Sequence, residues 1–151
     1  MQLIVDPETF EISTSGAVTG AIYFREGASA FPETGWNDLV SPILLDWSRE
    51  IVQLASEPSG ACALHFMDGP FSVRLKKDRG AFFVSFESRP KAPTASVAVD
   101  FQELAGSFLK SAAGLISIRD FQRRMPKQAA ELRGLSGQLR RVLNGGAPAA
   151  G

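Results

Sequence analysis

The chain is short of the residues on which most enzyme chemistry runs. It carries one cysteine, Cys62, one histidine, His65, and one tyrosine, Tyr23. A lone cysteine excludes an internal disulfide and suits a reducing compartment, so the expected location is cytoplasmic. Structural and catalytic zinc sites draw roughly three or four ligands, mostly Cys and His, and one of each is too few. Nucleophilic catalysis needs a nucleophile within reach of a base. If Cys62 and His65 share a strand three residues apart, the alternation of side chains sends them to opposite faces.

Long apolar runs are also missing. None approaches the roughly 20 residues of a membrane-spanning helix. The start, Met1-Gln2-Leu3-Ile4-Val5-Asp6, lacks a basic region and does not read as a signal peptide. Gly16-Ala17-Val18-Thr19-Gly20 continues into Ala21 and Ile22, where a phosphate-binding loop would place Lys and Ser or Thr. No Asp-x-Asp or EF-hand spacing occurs. No metal and no cofactor are therefore expected, and the chain is read as non-enzymatic.

What is present suits one globular unit. Of 151 residues, 44% are hydrophobic and 21% charged, and eleven Phe can anchor a core. Residues 1–143 are expected to form a single α+β domain. Residues 144–151, rich in Gly, Ala and Pro, read as a disordered tail.

Net charge is zero but unevenly distributed. Residues 1–70 hold ten acids against Arg25 and Arg49. From Ser117 onward, Arg119, Arg123, Arg124, Lys127, Arg133, Arg140 and Arg141 face only Asp120 and Glu131. Such asymmetry marks either an interaction surface or two solvated faces of opposite sign. Neutral total charge, and the absence of a helix-turn-helix, zinc-finger or RNA-recognition signature, argue against nucleic acid.

Hydrophobic periodicity places the elements. Short β-prone runs at 2–5 and 10–13 flank a turn cluster, Asp6-Pro7-Glu8-Thr9, and a third strand spans 17–24 with Gly20 at a close-approach point. Leu44, Trp47, Ile51, Leu54 and Ala55 repeat at helical spacing within a helix over 36–56, with Ser41-Pro42 as its cap and first position. A meander follows, with Cys62, Leu64 and Phe66, then Phe71, Val73 and Leu75, then Phe82, Val84 and Phe86 on alternate positions. Residues 89–95 read as a linker. Asp100 caps a helix bearing Phe101, Leu104, Phe108, Leu109 and Ala112 that stops at Gly114. Two further helices are split at Pro126. The fold expected is thus α+β: an antiparallel sheet of about five to six strands, a helix inserted after the third, and C-terminal helices packed on one face.

Binding is the chemistry left. The turn-rich loop Phe31 to Asp38 carries acids and aromatics between a strand and a helix, a common recognition setting. Asp46 and Glu50, four residues apart on the helix, and Glu57 at its end extend the acidic character. The candidate partner-binding residues are Glu33, Trp36, Asp38, Asp46, Glu50 and Glu57.

Phe31-Pro32-Glu33-x-x-Trp36-Asn37-Asp38 leading into the helix with Trp47, Phe66-Met67-Asp68-Gly69-Pro70-Phe71 at a strand turn, and the Val99-Asp100 helix entry together resemble a group of small bacterial α+β proteins. These are regarded as immunity proteins of polymorphic or contact-dependent toxin systems. The resemblance spans roughly residues 20 to 112, and the helical C-terminal extension has no counterpart in it. It implies a non-enzymatic protein that neutralises a cognate toxin by stoichiometric binding, and an acidic patch of Glu33, Asp38, Asp46, Glu50 and Glu57 would attract a basic toxin domain. The alternative is an adaptor or self-assembling protein that forms homo-oligomers through its basic C-terminal helices.

Overall fold

A computed structural model describes residues 1–145. Among the described residues, two antiparallel four-stranded sheets share one core with four helices. The first sheet is β1 (Gln2–Ile12), β2 (Val18–Glu26), β3 (Ser29–Phe31) and β4 (Asn37–Leu39), with β1 on one side of β2 and both β3 and β4 on the other. After α1 (Val40–Ser56) comes the second sheet, a meander of β5 (Gly60–His65), β6 (Phe71–Asp78), β7 (Ala81–Ser88) and β8 (Val97–Val99). Then come α2 (Phe101–Ile116), α3 (Arg119–Arg124) and α4 (Pro126–Leu143).

The α+β class and antiparallel pairing follow the expectation, while the single sheet of five to six strands does not. The strands divide four and four, and α1 follows the fourth strand because Asn37–Leu39 pairs with Thr19–Ala21 instead of starting the helix. The two runs expected on either side of Asp6-Pro7-Glu8-Thr9 are one strand with a register shift between Asp6 and Glu11. Asp6 organises the irregularity: its side chain accepts from the Glu8 N–H (3.0 Å), its carbonyl from the Thr9 hydroxyl (2.6 Å). Thr9 Oγ1 in turn accepts from Ala21 N–H (2.8 Å), so a hydroxyl keeps the ladder satisfied where the backbone bulges. Gly20 lies directly below: a Cβ there would meet Phe10 Cδ1 at 2.7 Å.

The apolar stripe of α1 is buried as expected, and Val40, Ile43, Leu45 and Val52 join it, because the helix is wedged between both sheets and α4. Trp47, 0% exposed, stacks on Phe24 of β2 (5.3 Å between centroids) and meets Phe66 edge-on (4.9 Å). Phe108 of α2 closes the cluster against Phe24 and Trp47. Truncating an aromatic at such a site costs about 3–5 kcal/mol. The Ser41-Pro42 cap is not formed. Ser41 is buried and its hydroxyl accepts from Val18 N–H (3.0 Å), tying the helix start to β2.

The meander has the expected alternation, with Cys62 opposite Leu75, Leu64 opposite Val73 and Val73 opposite Phe86. Arg79 and Gly80 both take positive φ (51° and 84°) in the two-residue turn joining β6 to β7, the geometry that matches strand twist. Within the expected linker, Thr94 bonds Phe86 in both directions, its hydroxyl accepting from Phe86 N–H and its N–H donating to Phe86 O. The chain then adds β8, a strand that the sequence pattern does not announce.

Asp100 caps α2, accepting from Gln102 N–H (2.9 Å) and Glu103 N–H (3.4 Å). Glu103 does not return to the cap; it holds the α-amino group of Met1 and the Gln2 side chain, each at 3.0 Å. The helix runs past Gly114 to Ile116. It lies along β1, where Ser107 Oγ accepts from Leu3 N–H (2.8 Å), and so protects that sheet edge. Pro126 splits the last two helices, as its missing N–H requires. Of the expected tail 144–151, Asn144 and Gly145 form a turn and the remainder lies outside the described residues.

Candidate functional site

The six candidate residues divide into two groups. Glu33, Trp36 and Asp38 belong to the segment between β3 and α1, whereas Asp46, Glu50 and Glu57 run along α1 and its C-cap.

In the first group the structure reassigns Asp38. Its side chain is buried, at 4% exposure. One oxygen accepts from Leu39 N–H (2.8 Å), and the other receives Trp36 Nε1–H (3.2 Å), Met67 N–H (3.1 Å) and Asp68 N–H (3.0 Å). Asp38 therefore locks the turn after β5 to the approach to α1 and is not part of an acidic surface, a correction to the expectation. Charge on the acceptor strengthens each of these bonds, and the four together compensate desolvation of the carboxylate. Trp36 is half-buried, edge-on to Phe71 at 5.1 Å between centroids. Phe31 packs against Phe66, Phe71 and Phe86. Glu33 alone of the three candidates is exposed.

In the second group Asp46, Glu50 and Glu57 follow one another at four and seven residues, which sets them in a single line on the solvent side of α1. Asp46 and Glu57 are exposed, and Glu50 is half-buried towards β5. Among the described residues, none of Glu33, Asp46, Glu50 and Glu57 is in an ion pair within 4.0 Å. Arg49, the one cation of α1, is drawn away to Glu131 of α4 (2.6 Å). The last turn of α1 has no basic residue. Acids at i and i+4 repel, and an acid at a helix C-terminus opposes the helix dipole.

Cys62 and His65 lie on β5 at opposite parity. Burial, with the Glu50 carboxylate nearby, pushes the Cys62 thiol up to about 12, away from the thiolate needed of a nucleophile. The His65 side chain is exposed, and its carbonyl accepts from Trp47 Nε1–H (3.0 Å). Among the described residues no three His, Cys, Asp or Glu side chains are placed to hold a metal ion, and no helix is long and apolar enough to cross a membrane.

Two features lie outside the candidate residues named from the sequence. Met67 (54% exposed) and Leu39 (37%) stand beside the Asp38 knot as outward apolar side chains. The alternation that buries Phe66 already implied an outward Met67. The second feature is a cavity of about 250 Å3 where β2 and β3 of the first sheet approach β7 and the 89–94 strap of the second. Nothing in the local pattern announces it, since its walls come from segments about 60 residues apart.

Comparisons of the chain with models of known protein families, with curated proteins and with solved structures return no match.

Proposed function

We propose that the chain is a non-enzymatic binding protein, an immunity protein that neutralises a cognate bacterial toxin by stoichiometric binding in the cytoplasm. The observation that carries this reading is the acidic line Asp46, Glu50 and Glu57 on α1. These acids stand without partnered cations among the described residues, two of them repel at four-residue spacing, and Glu57 sits at the wrong end of the helix dipole. Local choices that oppose stability are what a binding surface retains when a partner supplies the missing charge. A basic toxin domain is that partner. Complementary charge accelerates its capture and selects it over others.

The test is capture of a tagged chain from its native cell, with identification of any polypeptide recovered in stoichiometric amount. A single partner that kills cells when expressed alone, and fails to kill when the chain is co-expressed, supports the reading. Recovery of the chain alone, or of a partner whose toxicity the chain leaves unchanged, overturns it.

A second reading, self-assembly through the basic C-terminal helices, is favoured by Arg133 and Arg140 of α4. Both are exposed and line a groove of about 420 Å3 against the end of α2. Sedimentation across a concentration series distinguishes it: a homo-oligomer that dissociates with salt supports self-assembly, and a monomer throughout removes it.

A further inference from the structure

The cavity at the seam between the two sheets plays no part in capture by the acidic line, and its walls specify what would fill it. Phe24, Phe31 and Phe86 supply aromatic surface, and Ala92, Ser29, Ser88 and Thr94 are small residues that leave the space open. Phe24 is itself buried and stacked on Trp47, so the floor is fixed by the core. Phe31 and Phe86 are held at 4.7 Å between centroids and remain half-buried. At about 250 Å3 the space falls below the roughly 300–1,000 Å3 of small-molecule and cofactor pockets. It is the size of one large side chain.

The rim specifies the rest. Glu26 and Ser29 flank the two-residue turn joining β2 to β3, and Gly27 takes the positive φ (57°) that such a turn requires at its first position. The flanking pair of a two-residue hairpin is hydrogen-bonded, so the next pair, Arg25 with Ala30, is not. The N–H and C=O of Ala30 therefore point away from β2, towards the open edge beside the cavity. The rim is charged in both signs, with Glu26 on the strand wall and Lys91 on the strap. One Glu26 oxygen already holds the Met1 α-amino group, and its side chain is still half exposed. The exposed strap is fastened at its two ends, by Arg89 N–H to Pro70 O and Lys91 N–H to Ser88 O at one and by the Thr94–Phe86 bonds at the other.

We propose that this cavity receives one bulky aromatic side chain from an extended segment of a protein partner, whose backbone meets Ala30 and whose flanking residues carry one basic charge facing Glu26 and one acidic charge facing Lys91. Strand addition at a free edge, with a pocket for an alternate side chain, is an established mode of peptide recognition. An aromatic anchor in a preformed pocket is where binding energy concentrates. The inference rests on the reading of the chain as a protein-binding module, but not on that partner being a toxin.

The experiment titrates the full chain with the blocked tripeptide acetyl-Lys-Trp-Glu-amide, with acetyl-Lys-Ala-Glu-amide as control, and follows backbone amide shifts by NMR. Saturable shifts centred on Ala30, Phe31, Phe86 and Thr94 are expected, with the Ala peptide at least about tenfold weaker. Ala92→Trp on the exposed strap should fill the space and remove binding while the melting temperature is kept. Equal binding of both peptides, or shifts centred on Met67 and Leu39, would overturn the proposal. So would indole alone binding as tightly as the Trp peptide, which would make this a small-molecule site. Peptide binding at the seam alongside failed toxin neutralisation would keep this inference and remove the immunity reading.

Discussion

Two irregular segments bridge the sheets of this protein, and they are held in opposite ways. The 31–38 segment is pinned by a buried carboxylate, with Asp38 gathering four N–H donors from both sheets' connections and aromatic rings packed around it. The 89–94 strap is exposed along its length and fastened only near its two ends, by backbone bonds of Arg89 and Lys91 and by the Thr94–Phe86 bonds. Acidic and aromatic residues in a loop suggested recognition, yet Asp38 is buried and the rings of Phe31 and Trp36 pack inward, leaving residues 33–35 and Asn37 exposed. The strap, which looked like a plain linker, walls a strongly apolar cavity. The difference teaches that residue type marks a loop as special without saying whether it faces inward or outward.

The comparison can be broken by substitution. Asp38→Ala leaves several inward donors without an acceptor and should destabilise the fold by about 3 kcal/mol in urea unfolding. A loss below about 1 kcal/mol would mean the segment is not pinned by this carboxylate. Thr94→Ala removes the hydroxyl that accepts from Phe86 N–H, leaves the backbone bond to Phe86 O, and should cost no more than about 1 kcal/mol at this exposed site. Its effect should appear as faster hydrogen exchange at Phe86, not as global unfolding. Should Thr94→Ala match Asp38→Ala, the contrast between the two segments falls.

The acidic line on α1 gives a smaller effect of opposite sign. Glu57→Lys places a cation at the helix C-terminus and should stabilise the chain by about 0.5 kcal/mol while weakening partner capture. Stability and capture moving together would show that Glu57 serves the fold. The smallest effect concerns the base of the strap. The hydrogen bond from Arg74, aided by Arg89, holds the Glu87 carboxyl below the usual carboxylate range. A depressed folded-state value contributes stability above the ordinary carboxylate range, and that contribution is lost as pH falls through the lowered value. Carboxyl NMR titration should show Arg74→Ala returning Glu87 towards its ordinary value, and Arg89→Ala moving it less.

Much of the fold was legible because local pattern and burial agree. The stripe on α1, the meander alternation, the Asp100 cap and the break at Pro126 each follow from periodicity or from a missing donor. Other features depend on contacts distant in sequence. Asn37–Leu39 is a strand because β2 offers an unpaired edge there, and Ser41 serves β2 instead of its own helix. Asp38 looked like a surface acid because its donors, Met67 and Asp68, lie 29 and 30 residues away. The candidate site was half legible for the same reason: helical spacing set Asp46, Glu50 and Glu57 on one line, whereas nothing local distinguished Glu33, which stays exposed, from Asp38, which does not.

The central claim is that the acidic line on α1 is the surface that captures a basic toxin domain. The most direct measurement is stopped-flow association of the captured partner with the native chain and with Asp46→Lys/Glu50→Lys, at low and high salt. Association with the native chain should slow steeply as salt rises. The double reversal should be slower by about tenfold or more at low salt, with a flattened salt dependence. Equal rates for the two chains at every ionic strength would contradict the account.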